Sequence, residues 1–162
     1  MSCIRDILGD YRLSSTVSEE EILRAAEEIL TRRFVRGEAV TAPDSAGRIL
    51  KMRLAHLERE VFTVMFLDCR HRVIAIEDLF YGSIDGCEVH PRVVAQRALV
   101  HNAAAVILGH NHPSGDPSPS AADRAVTAKL KQVLRDLDVR LLDHFVVGGA
   151  NPPVSLASLG WV

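Results

Sequence analysis

No apolar run in this sequence approaches the roughly 18 consecutive residues that a membrane-spanning helix needs. The first residues also lack a basic segment followed by a long apolar stretch, so no secretory signal is evident and the cytoplasm is the expected location. Cysteine is scarce: Cys3, Cys69 and Cys87 are an odd number with no C-x-x-C spacing. That argues against both a disulfide framework and a thiolate zinc site. A basic excess is missing too, with 19 Lys and Arg against 21 Asp and Glu and a net charge of −2. Arg32, Arg33 and Arg36 cluster, as do Lys129, Lys131 and Arg135, but each group sits among acids and reads as a solvated helix face. No strong nucleic-acid binding and no membrane partner are expected on these grounds.

The composition, 48% hydrophobic and 25% charged over 162 residues, suits an ordinary globular protein able to bury a core. Ser18 with Glu21 forms a capping box, and Ile22, Ala25, Ala26, Ile29 and Leu30 recur at helical spacing, predicting a helix over about 18–34. Asp44 can cap a second helix with Ile49, Met52, Leu54 and Leu57 as its apolar stripe. From residue 61 the texture changes. Val61 to Leu67 is a nearly continuous apolar run, the pattern of a strand covered on both faces. A second strand is expected over 73–80, a short third near 83–89, a helix from Pro91 to about Asn102, and a buried strand over 103–108. Residues 109–119 read as a loop dense in Gly and Pro. A helix of about 120–137 follows, with Ala125, Val126, Leu130, Val133, Leu134 and Leu137 inward, and strands near 139–147 and 154–156 complete a sheet. Helices first, then strands with helices between them, predict a three-layer α/β or α+β fold around a mixed sheet. Residues 1–40 are expected to be an N-terminal helical extension to a domain of 41–162.

The chemistry concentrates after the 103–108 strand. His110 and His112 are two apart, so in extended chain both imidazoles point to one side and can meet on one ion. Asp123 returns in the first turn of the next helix, and three such ligands with a fourth position left for water are what a catalytic zinc site requires. The competing explanations are ordinary. A His-x-His pair is often two polar surface residues, and Ser120 with Asp123 is also a capping box that needs no metal. Spacing by itself does not choose between them.

The string from His110 through Ser120 to Asp123 matches H-x-H-x7-S-x-x-D and resembles the JAMM signature of the MPN+/JAB metalloprotease superfamily. The surrounding run Gly109-His110-Asn111-His112-Pro113-Ser114-Gly115-Asp116-Pro117-Ser118-Pro119-Ser120 is similar to the RadC branch, as are Leu67-Asp68, His90-Pro91-Arg92 and Leu142-Asp143-His144-Phe145-Val146-Val147-Gly148. This resemblance implies an MPN/JAB, cytidine-deaminase-like sheet flanked by helices. It implies Zn2+ held by His110, His112 and Asp123, with Ser120 supporting the water and the developing oxyanion. It also implies a general-base glutamate upstream, which Glu60 matches by its place at the head of a strand, with Glu77 as the competitor. The implied reaction is hydrolysis of a peptide or isopeptide bond in a peptide or protein substrate, and a homodimer is compatible with it. His144 is a candidate for support behind the site; His56, His71, His90 and His101 read as surface, cap or packing residues.

Longer RadC proteins carry an N-terminal helix-hairpin-helix region of the type associated with DNA. Residues 1–40 here are short and acidic with no Gly-rich hairpin, so the chain looks like the family's compact form, and the family's DNA-repair label carries little weight. The alternatives are a metal-dependent nuclease and a non-catalytic or repair-associated interaction module retaining the metal site. A nucleoside deaminase would need H-x-E followed by P-C-x-x-C, whose second half is missing.

Overall fold

A computed structural model of the chain describes residues 4–5, 11–12, 18–35, 43–82 and 88–162. The two-residue strands β1 (Ile4–Arg5) and β2 (Tyr11–Arg12) pair antiparallel. The capping box expected at Ser18 is formed: its Oγ accepts from the Glu21 N–H at 3.2 Å, and the Glu21 carboxylate accepts from the Ser18 N–H at 2.9 Å. Helix α1 (Glu19–Val35) follows and lies against the next helix and the edge of the sheet. Helix α2 spans Pro43–Leu54. It starts on Pro43, whose fixed φ and missing N–H suit a first helical position, so Asp44 lies inside the first turn rather than capping it. Leu50, outside the expected stripe, is as buried as Leu54, while Leu57 lies beyond the helix end.

Strand β3 (Val61–Leu67) is buried along its whole length, as its continuous apolar run requires. It pairs antiparallel on one side with β4 (Val73–Tyr81) and on the other with β5 (Ala105–Asn111). Of the third strand expected near 83–89, residues 83–87 lie outside the described residues, and Glu88 and Val89 are not in a strand. Helix α3 runs Pro91–Val100 and helix α4 runs Ala121–Arg135. Strand β6 (Arg140–Val147) lies parallel to β5, and β7 (Val154–Ser155) closes the order β4-β3-β5-β6-β7.

Alternation along the strands divides the core between two faces. Val61, Met65, Leu67, Ala105 and Ile107 meet Ile49, Leu50 and Leu54 of α2 on one side. Phe62, Val64, Phe66, Val106 and Leu108 meet Val94 and Ala98 of α3 and Leu130 and Leu134 of α4 on the other. The result is the expected three layers, helices on both faces of a mixed sheet. One inward assignment in α4 changes: Ala125 is exposed, and Thr127, not among the expected inward residues, is fully buried.

Candidate metal centre

The strand expected to stop at Leu108 continues to Asn111, so His110 belongs to the sheet and not to the following loop. Its neighbours across the sheet are Phe62 of β3 and Val146 of β6. The Phe62 ring stacks beside it at 6.2 Å between centroids, and only 1% of His110 is exposed. His112 stands one residue past the strand, and its N–H donates to the Val147 carbonyl at 2.8 Å, carrying the extended path on. The two imidazoles therefore share a face, with Nε2 atoms 3.1 Å apart. The loop then folds back close to the start of the β6–β7 turn. A Cβ on Gly148 would stand 2.4 Å from the Pro117 nitrogen and 2.6 Å from the Gly115 carbonyl, a gap that only glycine allows.

The loop delivers Asp123 to the same point. Its Oδ1 lies 3.1 Å from His110 Nε2, and its Oδ2 lies 3.6 Å from His112 Nε2. The three groups offer ligand atoms that all lie within 4.8 Å of one another. Donors around a tetrahedral zinc at its usual ligand distances stand about 3.3 Å apart. The donor set and its spacing thus fit zinc. The capping box is present as well: Ser120 Oγ accepts from the Asp123 N–H at 3.1 Å, and Asp123 Oδ2 receives the Ser120 N–H at 2.7 Å and its hydroxyl at 2.6 Å. The two readings of Asp123 that spacing could not separate coexist, one oxygen serving chiefly each.

Hydrogen-bond bookkeeping assigns the imidazole protons. Thr127, buried in α4, donates its single hydroxyl proton to the Asp123 carbonyl at 2.5 Å, so it accepts from His144 Nδ1 at 2.6 Å. His144 Nε2 is then bare and accepts from His110 Nδ1 at 2.9 Å, which leaves His110 Nε2 as a lone pair facing the centre. On His112, Nδ1 lies 2.9 Å from the Asp116 carbonyl, an acceptor only, so Nδ1 donates and a neutral His112 likewise presents a bare Nε2. Burial pushes the His144 pKa well below the usual imidazole range. Asp123 shows the opposite balance. Burial opposes its ionisation, but the imidazoles of His110 and His112, when protonated at Nε2, donate to the carboxylate, outweigh burial and hold the carboxyl well below the usual range. The Asp123 contact raises the His112 pKa.

His144, a sequence candidate for support, stands directly behind His110. Thr127 was missed, because a threonine inside an amphipathic helix carries no signal of its partners. The antiparallel ladder between β3 and β5 ends at Phe62 and His110, and continuing its register sets Glu60 opposite His112. Glu60 is half-buried and its charge acts on His112. Glu77 is engaged elsewhere: its carboxylate accepts from Arg97 Nε at 2.7 Å and lies 2.7 Å from His101 Nε2. His56 is exposed, His71 lies against Arg140, and His90 and His101 bracket α3.

Comparison with known proteins places these observations in a family. A family model described as the RadC-like JAB domain matches residues 40–161. A UPF0758 protein of Xanthomonas campestris is 57% identical over 144 residues, which cover 86% of this chain and 64% of that relative. A UPF0758 protein of Xanthomonas oryzae matches over the same shares, also at 57%. A UPF0758 protein of Vibrio cholerae is 48% identical over 152 residues, covering 94% of this chain and 95% of its own. The chain thus spans 64% of the length of the Xanthomonas relatives. It belongs to the RadC family and has the JAB fold.

Proposed function

We propose that this chain is a zinc-dependent hydrolase of the metallopeptidase or isopeptidase kind, with His110, His112 and Asp123 as ligands and Glu60 as the general base. The observation that carries the reading is the spacing of His110 Nε2 to His112 Nε2 and to Asp123 Oδ1, 3.1 Å each, in a family whose domain is of JAB type. Zinc, when bound, supplies a Lewis acid for the substrate carbonyl and acidifies a water to a pKa of about 7. The chain's own groups do the rest. Glu60, opposite His112, takes the proton of the attacking water and returns it to the leaving amine as the C–N bond breaks. Ser120 turns its hydroxyl toward the oxyanion of the tetrahedral species, an interaction worth about 3–4 kcal/mol in other enzymes. Its backbone N–H keeps its hold on Asp123 Oδ2 at 2.7 Å while the hydroxyl rotates. The substrate, a peptide or protein, approaches from the side of His112, whose side chain is 20% exposed against 1% for His110.

Elemental analysis after purification without chelator tests the metal, with about one zinc per chain expected. Cleavage assays with and without zinc then use a quenched peptide library, a ubiquitin-like conjugate and single-stranded DNA. Cleavage of either protein substrate only with zinc supports the proposal. A chain without zinc overturns it, as does a zinc-loaded chain that cuts only DNA or nothing.

A further inference from the structure

Asn111 separates the two histidines and points to the opposite face of the pleat, where it is 2% exposed. Its side-chain amide makes three bonds, all to the backbone of one short segment. Oδ1 accepts from the Val61 N–H at 2.9 Å, and Nδ2 donates to the carbonyls of Arg59 at 2.9 Å and Leu57 at 3.2 Å. That segment joins the end of α2 at Leu54 to the start of β3 at Val61 and has no helix or strand of its own. It carries Glu60. Where the ladder between β3 and β5 stops, at Phe62 and His110, the Asn111 side chain takes over the pairing for the next residues. The Gly82 N–H secures the Glu60 carbonyl from the other side at 2.8 Å.

We propose that Asn111 is the positioning residue for Glu60, tying the segment that bears the base to the strand that bears the histidines. The residue type fits the task. An amide supplies the acceptor that Val61 needs and the donors that two carbonyls need, whereas aspartate would set a carboxylate against those carbonyls and leucine would leave all three groups unpaired. Asn111 faces away from the His110–His112 side, so it acts through Glu60 and not on the ion. That Glu60 serves a metal centre rests on the hydrolase reading above; that Asn111 holds the segment does not.

Two measurements test the two halves. The first is amide hydrogen exchange on the metal-free native chain and on Asn111→Ala, with Asn111→Ser substituted if the alanine variant does not fold. Exchange at Val61 and Gly82 is expected to quicken by roughly tenfold or more while Val64 and Leu108 hold their rates. An equal rise everywhere, or none, overturns the proposal. The second replaces zinc with Co2+ and follows the visible spectrum of the bound ion with pH in the native chain, Asn111→Ala, Glu60→Gln and the double variant. Asn111→Ala is expected to move the spectral midpoint in the same direction as Glu60→Gln, by about half a pH unit or more. The double variant should move no further than Glu60→Gln alone. Independent, additive shifts, or no shift for Asn111→Ala, reduce Asn111 to a packing residue and overturn the proposal. If the native chain takes up no cobalt, the hydrolase reading fails on its own account, and the exchange result still decides whether Asn111 holds the segment.

Discussion

Asp123 divides its carboxylate between two tasks: Oδ2 takes the Ser120 N–H and hydroxyl, while Oδ1 stands beside His110. Replacing it therefore removes a proposed ligand and weakens a helix start together. Asp123→Ala is expected to lose most of the zinc by elemental analysis and to lower stability by about 1 kcal/mol. Full zinc retention by that variant would return Asp123 to a purely capping role. The two glutamates separate more sharply. Glu60→Gln keeps an uncharged isostere and should retain zinc and fold while losing turnover by about 100-fold or more. Glu77→Gln should leave turnover alone and instead change stability with pH. The Arg97 hydrogen bonds hold the Glu77 carboxyl at about 2 against an ordinary 4.5. A depressed folded pKa means the bond stabilises fully above the unfolded value and is lost as pH falls through the folded one. The stability gap between native and Glu77→Gln should thus be largest near neutrality and close between about pH 4.5 and 2, as read by urea unfolding. A gap independent of pH would show that packing, not the ion pair, is what the substitution removes.

At the scale of elements, the candidate metal centre is an agreement between β5, β6 and α4. The line from Thr127 through His144 to His110 crosses all three. Thr127→Val keeps the shape and deletes the hydroxyl, leaving His144 Nδ1 buried without its partner. Zinc affinity should fall by about 10-fold or more, and stability by about 1–3 kcal/mol, whereas Thr127→Ser should restore both. Competition with a calibrated chelator measures the first and chemical denaturation the second; equal affinity in Thr127→Val would sever the line from ligand positioning. Much of this layout was legible. Continuous apolar runs announce β3 and β5, because covered strands need no polar side. Helical spacing and a capping box announce α1 and α4. The extension of β5 to Asn111 was not legible, since Gly109, His110 and Asn111 look like loop residues until their strand partners are known. The start of α2 was misjudged because Asp44 and Pro43 both suit a first turn. Thr127, Asn111 and their bonds connect residues 17 and 50 apart in the chain, contacts that periodicity does not encode.

For the molecule as a whole, acids slightly outnumber bases, and Lys131 and Arg135 sit on an exposed face of α4 beside Asp136. Free DNA should bind weakly, with no submicromolar affinity in a mobility-shift titration at physiological salt. None of the described helices is long and apolar enough to cross a membrane. The order of the chain has a last consequence. All three proposed ligands fall between residues 110 and 123, whereas Glu60 arrives from 50 residues before His110. Closing a short loop costs less entropy than closing a long one, so the proposed ligand set depends on local chain and the proposed base on a distant segment. On the hydrolase reading, partial unfolding that frees the α2–β3 connection would then stop turnover before zinc was released. In stored or heated samples, metal content would remain constant while turnover declined, and stoichiometry alone would overstate the active fraction.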